Sequence, residues 1–309
     1  MEAFLTPMQQ LGEFEEISTR MAGNRGMIQV TGCIDSQKPH FIYCAGEQFR
    51  RTVLLKQEPE PRFATVILTY NDLRAKEIYE NYRFFDRDVL YFPAKDLIFF
   101  QADIHSNLLE QQRIAVLKAL IEKRQITVVT TVAACMNHLV SFEQWKKHIR
   151  TVEVGDELDI ETLKTELVAL GYERTRQVEG PGQFAVRGGI IDIYPLTEEN
   201  PVRIELWGEE VDSLRSFDAE SQRSIENMDQ VQIYPAAELI PDARQRQQAL
   251  ERIKKEADRA AAVFRKEGKN EEAARIRDLL ENCRDSLEEL AEPLSMEGFI
   301  DYFFEKQTT

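Results

Sequence analysis

A chain of 309 residues, 43% hydrophobic and 30% charged, has the composition of a globular protein and the length of two or three domains. No apolar run approaches the ~20 residues that span a bilayer, and Met1-Glu2-Ala3-Phe4 lacks the basic start and apolar stretch of a secretory leader. The expectation is a soluble, cytoplasmic, monomeric protein with no membrane partner. Fifty-four acidic against 39 basic residues give a net charge of -15, a field that repels polyanions. Little or no direct nucleic-acid binding is therefore expected, and charged protein surfaces are the better partners.

In chain order, residues 27–31 (MIQVT), 64–69 (ATVILT), 89–92 (VLYF) and 126–131 (ITVVTT) read as short β-branched strands. Residues 107–122 carry Leu109, Ile114, Leu117 and Ile121 as a helical stripe. Strand alternating with helix predicts a doubly wound α/β domain with a parallel sheet over residues 1–148.

A second unit is expected over residues 149–235. Asp159 is placed to cap a helix through Ile160, Leu163, Leu167 and Leu170, with Gly171 just past its end. The period then changes to two, and residues 183–186, 189–194, 202–207 and 210–214 read as strands of a small α+β domain with an antiparallel sheet. Gly180-Pro181-Gly182, Gly188-Gly189 and Gly208 mark the turns. Residues 236–309 are read as helical. Leu250, Ile253, Ala257, Ala260 and Phe264 recur at helical spacing, as do Ala273, Ile276, Leu280, Cys283, Leu287 and Leu290, and Gly268-Lys269-Asn270 breaks them into a hairpin. Residues 242–292 hold 12 basic and 13 acidic residues, too balanced for a nucleic-acid arm.

The loop after the first strand of such a domain holds phosphate on backbone N–H groups. Against G-x-x-x-x-G-K-[ST], Gly32 and Lys38 fit, but Gln37 stands at the second glycine and Pro39 at the hydroxyl. Gln37 adds a Cβ, Pro39 offers neither hydroxyl nor N–H, and Asp35 puts negative charge in the nest. Descent from a phosphate loop and chance are equally compatible with this pattern; either way the loop is expected to be inactive.

No catalytic residue, metal or cofactor is expected. Cys33, His40 and Cys44 lack a fourth ligand and paired spacing. His105, His138 and His148 read as ordinary surface or core residues, and Cys135 and Cys283 as buried small hydrophobes.

Residues 202–207 alternate cleanly. Val202, Ile204 and Leu206 face a core; Arg203, Glu205 and Trp207 face away, with Arg187 near the same face. Two readings fit. Trp207 covers a satellite core while Arg203 pairs Glu205 or Glu209, or the group is an interface hot spot in which these exposed side chains are dispensable to folding.

Residues 182–218 (GQFAVRGGIIDIYPLTEENPVRIELWGEEVDSLRSFD), followed by Ser221-Gln222-Arg223, closely resemble the bacterial transcription-repair coupling factors and, more loosely, the excision-repair protein UvrB. The likeness runs collinearly into the first domain, through Val30-Thr31-Gly32 and Gln101-Ala102-Asp103-Ile104. It implies a degenerate P-loop-like domain split by an inserted α+β domain, with the helical segment packing back on the first domain. The family's inserted domain binds UvrA as UvrB does, through positions that here hold Arg187, Arg203 and Trp207, the last replacing a phenylalanine. Glu205 is a lesser candidate. The family's RNA-polymerase-binding domain and ATP-driven DNA motor lie beyond this sequence. The resemblance therefore implies a fragment of a translocase that is not itself an enzyme. The competing reading is a UvrB-like repair ATPase that grips damaged DNA.

Overall fold

The structure, a computed structural model, describes residues 2–23, 26–52, 64–95, 106–122, 125–137, 139–289, 300–303 and 307–308. It divides into two compact units, Met1–Ala94 with Ala115–Met136, and Lys95–Ile114 with Asn137–Thr309.

In the first unit the β-branched runs become β1 (Ala64–Thr69), β2 (Val89–Phe92) and β3 (Ile126–Thr131). They form a parallel sheet ordered β1-β3-β2, with Val66 opposite Val128 and Tyr91 opposite Val129. The central strand β3 is buried at all six positions, which is why its sequence shows no polar alternation. Helices α1 (Glu2–Gln9), α2 (Gly12–Gly23), α3 (Lys38–Thr52) and α4 (Asp72–Tyr82) supply the helical side of the core. Leu5, Phe14, Tyr43, Ile78 and Tyr82 pack there with Ile67, Val89 and Val129 of the strands. Asn71 begins α4 by accepting the N–H of Arg74. Helix α5 (Ser106–Ile121) precedes β3, and the single turn α6 (Val132–Cys135) follows it. The α/β reading with a parallel sheet is borne out here.

Residues 27–31 are not a strand. They join no ladder, and Met27 and Val30 are exposed, Met27 almost completely. β-propensity expresses a fit to a pleated, half-buried surface; with no neighbouring strand among the described residues, this run leaves Met27 and Val30 exposed and only Ile28 half-buried. Cys135 is likewise exposed, not buried: α6 is only four residues long and turns Ala134 inward instead. Residues 101–105, with His105, and His138 lie outside the described residues, as does the side chain of Cys283.

The second unit opens with β4 (Leu139–Val140), α7 (Phe142–Lys146) and β5 (Arg150–Glu153). Helix α8 (Ile160–Ala169) starts as its sequence predicts, the Asp159 carboxylate accepting the Thr162 N–H at 2.9 Å. It ends on Gly171 at φ 90, where Tyr172 N–H reaches the Leu167 carbonyl and Gly171 N–H the Val168 carbonyl, both at 3.0 Å. Six strands follow: β6 (Glu173–Arg174), β7 (Gln183–Arg187), β8 (Ile190–Ile193), β9 (Val202–Trp207), β10 (Glu210–Phe217) and β11 (Ser224–Met228). They pair in sequence order, antiparallel except for β6 on β7. Strand β12 (Gln230–Ile233) pairs with β5 instead. The hairpin is α9 (Ala243–Lys266) packed on α10 (Asn270–Glu289), with Gly268 at φ 78 between them. Near the start of α9, Ala249 clusters with Val140 and with Ile300 and Phe303 of α11 (Ile300–Phe303), and β13 (Gln307–Thr308) pairs with β4. No helix among the described residues is long and apolar enough to cross a membrane.

Gly171 has two reasons to be glycine. Its left-handed backbone disfavours a Cβ, and a Cβ there would sit 2.9 Å from the Cβ of Ala237. Gly171→Ala should therefore cost more than the about 1–2 kcal/mol of left-handed strain alone, read by urea denaturation. A neutral result would contradict the cap.

Candidate functional site

The outer face of the six-stranded sheet is built by strand register. Val202 and Ile204 of β9 face the core at 3% and 0% exposure, so Arg203, Glu205 and Trp207 project from the other side. Asp192 of β8 lies directly opposite Arg203, which lies opposite Arg215 of β10. Arg187, at the end of β7, comes in diagonally across the Gly188-Gly189 turn, where Gly188 takes φ 60 and Gly189 lies against the Leu206 carbonyl.

Asp192 is 1% exposed, so its charge cannot be satisfied by water. Arg203 supplies a two-pronged fork, Nε to Oδ1 at 2.6 Å and Nη2 to Oδ2 at 2.9 Å, and Arg187 adds Nη2 to Oδ2 at 2.6 Å. The Arg203 guanidinium also lies 4.4 Å from the centre of the buried Phe217 ring and donates to Gln222 at 3.1 Å. That second contact is set by a turn in which Gln222 adopts φ 58 and Asp218 accepts the N–H and hydroxyl of Ser221. Bonding to Asp192, against a smaller opposing effect of burial, raises the Arg203 pKa still further. Glu205 accepts from Ser213 at 3.1 Å and pairs with Arg215. Trp207 stands free at 83% exposure beside the two-residue turn Gly208-Glu209, with Gly208 at φ 68. The face thus gathers Arg187, Arg203 and Arg215 with Asp192 and Glu205, next to a bare indole whose cross-strand neighbour is Glu210.

The structure brings all four sequence-predicted residues to one face, and it gives Arg203 an intramolecular partner other than the two that the sequence suggested. Arg203 is not a free surface fork: its side chain is only 15% exposed and neutralises a buried carboxylate. Neither Glu205 nor Glu209 is its partner. Asp192 and Phe217 were not singled out from the sequence, and Gln222 entered only within the run Ser221-Gln222-Arg223; the one local signal for Asp192 was an aspartate within the apolar run GIIDIY. Arg187, at 47%, and Trp207 keep the accessibility a partner needs.

At the loop of residues 32–39, Gly32 has φ 89, Asp35–Gln37 make a single 3-10 turn, Lys38 begins α3 and Pro39 is buried in its first turn. Among the described residues no strand precedes the loop, which departs from the strand-to-helix setting of a phosphate nest. Lys38 Nζ lies 2.6 Å from Asp35, and Arg74 reaches the same oxygen at 3.1 Å. The Lys38 bond, then the Arg74 charge, hold the Asp35 carboxyl below its ordinary range. Cys44 is fully buried and its thiol is pushed up to about 11 by burial and Glu47, which suits a packed hydrophobe better than a ligand or nucleophile. Among the described residues no group of three or more His, Cys, Asp or Glu is arranged to hold a metal.

Residues 151–239, which contain this sheet, match the family described as the UvrB interaction domain. The chain is 36% identical to the transcription-repair-coupling factor of Bacillus subtilis over 242 residues, 78% of this chain and 20% of that protein. It is 34% identical to the corresponding factor of Staphylococcus aureus over 191 residues, 61% of this chain and 16% of the relative. It is 30% identical to UvrABC system protein B of Thermosipho africanus over 275 residues, 84% of this chain and 41% of that protein. The resemblance to DNA-repair proteins of the coupling-factor and UvrB types is therefore borne out, and the chain spans less than half the length of these relatives.

The Asp192 knot predicts unequal costs in chemical denaturation. Arg203→Ala should lose about 3 kcal/mol, the low end for a broken buried pair because Arg187 remains. Arg187→Ala should lose no more than about 1 kcal/mol, and Trp207→Ala should stay within about 0.5 kcal/mol. Equal losses at all three would contradict the account.

Proposed function

We propose that this chain is a docking module of transcription-coupled nucleotide excision repair, which recruits UvrA by offering it the surface that UvrB offers. The observation that carries the reading is the outer face of the sheet within residues 151–239. There an exposed tryptophan stands beside arginines pre-set by a buried aspartate, in a domain that matches the UvrB interaction domain. A large aromatic with adjacent arginines is the composition of an interface hot spot. Arg187 offers its outward N–H groups to a partner carboxylate, Trp207 excludes water beside it, and Arg203 positions the face by holding Asp192. Glu205, tied to Arg215 and Ser213, contributes orientation more than contact.

On this reading the parallel-sheet domain is a degenerate P-loop-like domain split by the inserted residues 149–235, with residues 236–309 completing it, and the chain acts as a cytoplasmic monomer. It turns over no nucleotide, because Gly32, Gln37, Lys38 and Pro39 form no working phosphate loop and Asp35 occupies the Lys38 ammonium. ATP-driven translocation, and contacts with RNA polymerase and DNA, are assigned to the parts of the coupling factors that this chain does not match. The alternative, a UvrB-like ATPase gripping damaged DNA, is disfavoured by the same loop and by the net charge of -15.

Calorimetric titration of UvrA with the chain and its variants tests the proposal. Trp207→Ala should weaken binding by about 2–4 kcal/mol and Arg187→Ala by about 1–3 kcal/mol, both with near-normal melting temperatures. Arg203→Ala is read together with its own stability loss, and Ile204→Ala should act only through unfolding. If folded Trp207→Ala and Arg187→Ala both bind like the unaltered chain, the interface lies elsewhere.

A further inference from the structure

The six residues Asp218 to Arg223 join β10 to β11, and one of them holds a backbone that its side chain disfavours. Among the described residues the left-handed region contains seven glycines and one residue with a side chain, Gln222 at φ 58. There a Cβ crowds the following carbonyl oxygen, and glycine takes up the conformation freely. Such a backbone persists where the surrounding structure over-determines it, and it gathers at ligand clamps.

The turn itself does not need the glutamine side chain. Asp218 closes it. The Asp218 carboxylate accepts the Ser221 N–H at 2.8 Å and the Ser221 hydroxyl at 2.6 Å. Its carbonyl accepts the Gln222 N–H at 2.8 Å, and its own N–H reaches the Arg223 carbonyl at 2.9 Å. Gln222→Gly would keep all of these.

What the side chain adds is a grip on Arg203. Gln222 Nε2 donates to the Ala219 carbonyl at 2.8 Å, and Oε1 accepts from Arg203 Nη2 at 3.1 Å. These partners fix which way round the amide sits, since a carbonyl only accepts and a guanidinium only donates. Asp192 holds the same guanidinium through Nε and Nη2, and the fully buried Phe217 ring backs it at 4.4 Å. Nη1 has no partner among the described residues and is not closed off from solvent, on a side chain that is 15% exposed.

We infer that Gln222 is a positioning residue of the docking face: it holds Arg203 Nη2 so that Nη1 is presented to UvrA, where the turn by itself would favour glycine. The inference rests on the docking reading above, and adds that affinity at this face is maintained against the stability of the turn.

Calorimetric titration of UvrA with the full chain tests it, alongside urea denaturation of each variant. Gln222→Gly removes the side chain and the backbone conflict together. Gln222→Asn keeps an amide that tolerates the left-handed region but is one methylene shorter than the reach to Arg203. Both should bind UvrA roughly 3- to 10-fold more weakly, with denaturation midpoints unchanged or raised. Arg203→Lys keeps a charge on Asp192 and lacks the planar fork that Gln222 holds. In that background Gln222→Asn should cost no further affinity, because the glutamine acts through the arginine. A purely structural glutamine would instead lower the midpoint and leave the affinity of the folded chain as it was. That result, normal binding by both variants, or an equal loss in the Arg203→Lys background would overturn the inference alone, provided Trp207→Ala still weakens binding. If Trp207→Ala and Arg187→Ala bind like the unaltered chain, the docking reading fails and the inference falls with it.

Discussion

A charge with no access to water organises the outer face of the antiparallel sheet. Asp192 sits at 1% exposure in the middle of a strand, where a lone carboxylate would be heavily penalised. Arg203 and Arg187 remove that penalty from two adjacent strands, and their geometry propagates outward. Arg203 is pinned on one side by Asp192, beneath by the Phe217 ring and at its far edge by Gln222, so the turn after β10 is part of the same device. A partner would meet guanidinium groups that lose little further freedom on binding, the circumstance in which charged contacts contribute most to affinity. Trp207, fixed only by its hairpin, is the element with most left to bury.

A second buried ion cluster does comparable structural work within the same unit. Glu238 is 7% exposed; burial pushes its pKa up, but Lys95 and Arg113 outweigh this and hold the carboxyl below its ordinary range. Lys95 lies 3.1 Å away and Arg113 forks onto both oxygens, tying residues before and within α5 to the segment after β12. Trp145 of α7 donates to the Ala237 carbonyl next to it at 3.2 Å. These contacts fix the path of the chain between the sheet and the helical hairpin, whose first helix is also tied to α11 by Arg252 donating to the Tyr302 carbonyl and by the Tyr302 hydroxyl donating to Glu256.

The sequence disclosed whatever depends on local periodicity. The period-two run 202–207 placed Trp207 outward and Ile204 inward, and Asp159 and Gly171 marked both ends of α8, because caps and strand faces are decided within a few residues. What escaped was decided by pairing across strands. Arg203 and Asp192 are 11 residues apart and meet only once β8 and β9 adopt their register, so the arginine looked exposed and the aspartate looked incidental. The same cause explains residues 27–31, whose β-branched composition could not say whether a neighbouring strand would be present. For Cys135, a helical position mattered less than helix length: a single turn leaves most of its surface outside.

The central claim is that the sheet face of residues 151–239 occupies the same site on UvrA as UvrB does. The most direct measurement is competition: fluorescence anisotropy of the labelled chain bound to UvrA while unlabelled UvrB is titrated in. The account predicts displacement to the anisotropy of the free chain. A ternary complex, with anisotropy unchanged or rising while UvrB saturates UvrA, would contradict it.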